Sequence, residues 1–152
     1  MRIPDANVLL HAVNSSALQH RAARRWLEAS LGGTEPVGFA WLVLLAFLRL
    51  STRRGLFPAP LAVGPAMDYV AEWLGQPPAR VVNPTGRHLD VLRSLLVEAG
   101  TGGNLTTDAH LAALAVEHGA ELWSFDRDFG RFEGLRWRQP PSEGGVVAAA
   151  RS

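Results

Sequence analysis

Four aspartates stand where one kind of chain gives way to another, and carboxylates so placed can do phosphodiester chemistry. Asp5 follows the short apolar stretch Arg2 to Pro4 and lies inside the apolar run Ile3 to Leu10. Asp108 opens a helical stretch in Thr-Thr-Asp-Ala-His, after the loop Gly102-Gly103-Asn104. Asp126 follows Leu122-Trp123-Ser124-Phe125, with Asp128 two residues later. In an open parallel sheet, ligands bind outside the carboxyl ends of the strands, where residues that follow strands are delivered. Carboxylates gathered there repel one another unless a cation lies between them. An oxygen-only donor set suits Mg²⁺ or Mn²⁺. A cation so held lowers the pKa of a water and stabilises charge on a phosphoryl group. Each aspartate also has a plainer use, since Asp caps free amides at helix N-termini. Asp5 is hardest to explain that way, because an acid in an apolar stretch needs a partner or a cation.

Other residues carry weaker signals. Arg49 lies on an apolar helical stretch, either snorkelling at the helix end or pointing a guanidinium at phosphate or an aspartate. Arg53 and Arg54 read as solvated or RNA-facing rim residues. His11, His20, His88, His110 and His118 have no ligand spacing, and His110 points away from Asp108 on a helix. Asn104 either positions the Asp108 loop or fits a turn beside two glycines. Trp26, Trp41, Trp73, Trp123 and Trp137 read as core.

The elements that must position these residues alternate between strand and helix. Strands are expected at Arg2–Pro4, Val37–Trp41, Ala79–Val82, Glu121–Phe125 and Leu135–Arg138. Helices are expected through Val13, over 17–31 with Leu18, Ala22, Trp26 and Leu27 as its apolar stripe, and over 42–52. Further helices are expected over 64–74 with Met67, Val70, Ala71 and Leu74 inward, 86–99 and 107–117, with a helical turn over 128–132. That alternation predicts an α/β sandwich around a mostly parallel sheet. One domain over residues 1–138 is expected, then a flexible Gly-, Ala- and Ser-rich tail over 139–152.

Three segments together resemble a family. I-P-D-A-N-V-L-L, N-L-T-T-D-A-H-L-A-A-L-A and W-S-F-D-R-D-F are similar to the motifs of PIN domains, and more narrowly of the VapC-type toxins of bacterial toxin–antitoxin pairs. The resemblance runs from Met1 to about Trp137. It implies a PIN-like three-layer α/β/α sandwich and an endoribonuclease using Mg²⁺ or Mn²⁺. It implies metal-liganding and catalytic roles for Asp5, Asp108 and Asp126, with Asp128 an auxiliary ligand. Asn7 and Ser124 match polar positions that support the acidic site. RNA as substrate, a VapB-type antitoxin as partner and a homodimer follow from the same resemblance, as does a helical groove near Trp26 and Leu48 for the antitoxin. One departure stands out. The family commonly carries a glutamate on the helix after the second strand, and L-L-A-F-L-R-L puts Phe47 there. No acid occurs between Glu35 and Asp68.

Composition narrows the alternatives. The 152-residue chain is 47% hydrophobic, enough for one core. It has no cysteine, which excludes disulfides, thiolate zinc sites and thiol nucleophiles. A net charge of +1 gives no global field for nucleic acid. All fifteen basic residues are arginine, which reads as base bias in the genome. With no signal peptide and no apolar run long enough to cross a bilayer, the expected setting is the cytoplasm. A different class remains open, a catalytically silent PIN-like module that binds RNA or protein, favoured by the missing glutamate. A phosphatase is weaker, because Asn7 stands two residues after Asp5 where a second aspartate would be needed.

Overall fold

The computed structural model describes residues 1–142. Its centre is a five-stranded sheet of order β3-β2-β1-β4-β5, every pairing parallel, formed by β1 (Arg2–Pro4), β2 (Val37–Ala40), β3 (Ala79–Val82), β4 (Glu121–Trp123) and β5 (Trp137–Arg138). Parallel strands covered on both faces need no polar alternation. Accordingly β2 is buried at all four positions and β1 and β4 at two of three. Gly38 lets these strands close up: a Cβ there would stand 2.6 Å from Val82 Cγ2 and 3.1 Å from Ile3 Cγ1.

Six helices flank the sheet: α1 (Ala6–Val13), α2 (His20–Leu31), α3 (Trp41–Thr52), α4 (Val63–Leu74), α5 (His88–Ala99) and α6 (Leu105–Glu117). A 3₁₀ turn, Arg127–Arg131, follows β4. Helix α1 packs on α2 and α3, α3 on α4, and α5 on α6. The expected three-layer α/β/α architecture is the one observed. Among the described residues, no helix is long and apolar enough to cross a membrane.

Several local expectations shift. Helix α2 starts at His20, not Ala17, because Asn14 Oδ1 accepts from Ser16 N and the chain turns before the helix begins. Leu18 therefore falls outside the stripe, 95% exposed, and the buried face is Ala23, Trp26, Leu27 and Ser30. The inward face of α4 is Ala66, Val70 and Trp73, with Met67 and Ala71 turned to solvent. Strand β4 ends at Trp123, so Ser124 and Phe125 lie in the loop that carries Asp126. Of the expected tail, residues 143–152 lie outside the described residues. Gln139 Nε2 donates to Phe125 O and Pro140 is buried.

Phe47, the residue aligned with the family's glutamate, does not line the acidic cleft. It is fully buried, edge-on to Trp73 at 4.8 Å and to Tyr69 at 6.4 Å, in the layer between α3 and α4. It cannot stand where a metal-facing carboxylate would. The residues of α3 that face the acidic cleft are Leu42, Val43, Leu45, Ala46 and Arg49.

Candidate active site

The site forms where β1 and β4, neighbours at the centre of the sheet, release the chain at their carboxyl ends. Asp5 N donates to Trp123 O at 2.8 Å, which carries the parallel pairing one step past β1. Asp5 then becomes the N-cap of α1, its Oδ1 accepting from Ala6 N at 2.7 Å. The other oxygen, Oδ2, accepts from Ser124 Oγ at 2.8 Å and from Asn7 Nδ2 at 3.2 Å.

Ser124 is the hub of this arrangement. Fully buried, its Oγ donates to Asp5 and accepts from Asn7 Nδ2 at 2.9 Å and from Asp126 N at 3.0 Å. Asn7 completes the bracket, its Oδ1 accepting from Phe125 N at 3.1 Å. One hydroxyl and one amide thus fix the loops after β1 and β4 against each other. Asp126 caps the 3₁₀ turn through Oδ1, which accepts from Asp128 N at 2.9 Å. Capping is a real role for Asp5 and Asp126, and it leaves further lone pairs on both carboxylates.

Asp108 enters from the first turn of α6 and, with Asp5 and Thr107, lines a cleft of about 350 Å³ against the α3 face. It caps nothing. Its carboxyl is pushed up to about 6, first by burial and then by the charges of Asp5, Asp126 and Asp128. Burial likewise raises Asp5, against the hydrogen bonds from Ser124 and Ala6, with Asp126 adding to the rise. Four carboxylates thus feel one another, the condition in which a cation is stabilising.

The donor set fits a hydrated divalent cation. Among the described residues no three acidic or histidine side chains close into a preformed cage. Mg²⁺ does not need one, because it keeps several waters and takes one or two carboxylates. Asp5 and Asp108, on one cleft, are the residues that would hold it, with Asp126 and Asp128 beside them.

The remaining sequence candidates sort by position. Arg49 lines the same cleft as Asp5 and Asp108. Arg53 does not. It borders a neighbouring cleft of about 290 Å³ with Arg54, Leu10, His11, Leu50, Leu56 and Asn7. Asn104 is exposed at the N-cap of α6 without a side-chain capping bond, and stands apart from the Ser124 hub. His110 takes part in a different cluster, which sequence reasoning missed. His88 Nδ1 meets Glu117 Oε2 at 2.5 Å, His88 Nε2 meets His110 Nδ1 at 2.9 Å, and Thr85 Oγ1 donates to Glu117 Oε1 at 2.7 Å. This clasp joins α5 to α6. The i, i+7 spacing of His110 and Glu117 was its signal, with no pattern to identify His88 as their partner. Ala46 was missed as well; its place three residues before Arg49, on one helical face, was the available clue.

An acidic centre at the carboxyl edge of a parallel sheet is how a PIN domain is built, and the PIN domain family matches residues 2–135. Ribonuclease VapC37 of Mycobacterium tuberculosis is 58% identical over 142 residues, 93% of this chain and 99% of that one. The chain belongs to the PIN domain family, among its VapC ribonucleases. Solved structures share the fold. The M. tuberculosis VapC20 structure, described as a sarcin–ricin loop cleaving toxin, superposes with a TM-score of 0.64 at 22% identity, covering 90% of this chain and 99% of that one. VapBC2 of Rickettsia felis, bound to a promoter DNA fragment, gives 0.67 at 15% identity, covering 91% and 97%.

Proposed function

We propose that this protein is an endoribonuclease, the toxin of a VapBC-type toxin–antitoxin pair, and that it cuts RNA at the Asp5–Asp108–Asp126 centre with Mg²⁺ or Mn²⁺. The observation that carries the proposal is Asp108, which shares one cleft with Asp5 and is raised to about 6 by burial and by the charges of Asp5, Asp126 and Asp128. A structural acid would be expected to find a donor, and a cation-binding acid to sit among its own kind.

When bound, a divalent cation supplies Lewis-acid charge that activates water and neutralises the transferring phosphoryl group. The chain's own residues do the positioning. Ser124 and Asn7 lock Asp5 in one orientation, Asp126 is held by its own backbone bond to Ser124, and Asp128 adds charge at the rim. Arg49, at the cleft wall, pairs with a phosphate of the RNA.

The antitoxin is a VapB-type chain. A groove of about 500 Å³ between α2 and α4, lined by Leu27, Leu31, Tyr69 and Trp73, has the apolar floor an amphipathic helix requires. It runs along α2, the helix that carries Trp26, but neither Trp26 nor Leu48 lines it. A homodimer in the cytoplasm completes the proposal. One observation favours a second reading, a silent RNA- or protein-binding module: Ala46 leaves the cleft one acid short of the family pattern.

Cleavage of total cellular RNA by antitoxin-free protein separates the two readings. Discrete fragments that need Mg²⁺ or Mn²⁺, vanish in EDTA and are absent with Asp5→Asn are the expected result. Intact RNA under every metal condition, from folded protein, would sink the enzyme.

A further inference from the structure

The cleft beside the acidic centre is built differently from the centre itself. Its wall is aliphatic, formed by Leu10, Leu50 and Leu56, with the His11 ring on one side. The ring is held in place: His11 meets Phe125 edge-on at 5.4 Å, and its backbone oxygen is bonded to His20. Burial lowers the pKa of His11, so it is neutral at pH 7 and presents an uncharged aromatic face. At the rim stand Arg53 and Arg54, both exposed, neither with a carboxylate partner among the described residues. The rim loop is pinned at both ends, by Asn14 Nδ2 donating to Leu56 O and by Leu61 N donating to Ser51 O. Gly55, at φ +123°, supplies the turn between Arg54 and Leu56.

An apolar slot with an imidazole face and a cationic rim matches one RNA unit, a flat base with a phosphate on either side. Proteins that read single-stranded RNA splay bases out, stack them on aromatic or imidazole planes and hold the backbone with arginine. The position is equally specific. Asn7 forms a wall of this cleft, and its amide also bonds Asp5, Ser124 and Phe125 N. The slot and the acidic centre are thus opposite sides of one side chain.

Resting on the ribonuclease reading, we infer that the Leu10–His11–Leu50–Leu56 slot receives the base of a nucleotide flanking the cleaved bond, with Arg53 and Arg54 on its phosphates. The slot then selects which base stands beside the cut, while the acidic centre acts on any phosphodiester.

The test is cleavage of a random-sequence single-stranded RNA pool with Mn²⁺, read by sequencing the cut ends. Wild-type protein is expected to favour one base at a fixed position beside the cut. His11→Gln and the surface variant Leu56→Ala should flatten that preference about five- to tenfold. Arg49→Ala should slow cutting at all sequences alike. Preference left intact in both slot variants would overturn the inference while the nuclease stands. If wild-type protein cuts nothing, the nuclease reading fails, and the slot is judged by binding of an uncleavable 2′-O-methyl RNA pool. Base-selective binding that weakens in Leu56→Ala and in the Arg53→Ala/Arg54→Ala double variant supports the slot; binding unchanged by these substitutions overturns it.

Discussion

Two adjacent residues of α3 illustrate how far one position can matter. Ala46 faces the acidic cleft and Phe47 faces the core, although sequence alignment placed the missing carboxylate at Phe47. Ala46→Glu should therefore tighten Mn²⁺ binding several-fold by titration calorimetry and raise the cleavage rate. Phe47→Ala should instead cost about 3–5 kcal/mol in urea unfolding, through the lost burial and the cavity left behind. Asp108 gives a second residue-scale prediction. Its carboxyl stands at about 6 in the folded protein against an ordinary 3.8, so between those values the folded state holds a proton that the unfolded chain has released. Stability of the metal-free protein should consequently fall as pH rises from about 4 through about 6. Asp108→Asn should flatten that part of the pH profile, raise the melting temperature at pH 7.5 and abolish cleavage. A melting series against pH, wild type beside variant in EDTA, measures the difference. The aspartates themselves were legible in the sequence because each follows a change of element. The role of Ser124 as a three-bond hub came only with the resemblance and the coordinates, since nothing local marks a serine that bonds across 119 residues.

At the scale of elements, hydrophobic period served well where one face is buried and poorly where ends are decided by side-chain bonds. Strand β3 and the bulk of α3 and α6 fall where the pattern places them. Helix α2 begins late because Asn14 turns the chain first, and the buried face of α4 is rotated because Tyr69 and Trp73 pack on Phe47. Aromatic packing between helices has no period of its own to read. The α5–α6 clasp was invisible for the same reason, being a contact between His88 and residues more than twenty positions away. Glu117 accepts from Thr85 N and Thr85 Oγ1 and pairs with His88, with its side chain fully covered. Glu117→Ala should cost about 1–3 kcal/mol, because it strips the part-buried donors of Thr85 and His88 of their acceptor. Hydrogen exchange is expected to show the loss concentrated at the start of α5 and the end of α6.

At the scale of the molecule, the cluster of like charges makes the fold and the cation interdependent. Added Mg²⁺ or Mn²⁺ should stabilise wild-type protein by RT ln(1 + [M]/Kd) and so raise its melting temperature, and Asp5→Asn should lose most of that rise. Fluorimetric melting across a Mg²⁺ series decides it, and a flat response in the wild type would contradict the metal assignment. The parallel order β3-β2-β1-β4-β5 has a consequence in time as well. The first of the five strands along the chain is the central one, and its partner β4 begins 119 residues after Arg2. During synthesis β1 can pair with β2, and β2 with β3, while Asp126 and the Ser124 bracket do not yet exist. A chain still growing on the ribosome thus has its first aspartate in place but lacks the other wall of the site. Any capacity to damage RNA arises only after β4 has been made and slides in beside β1.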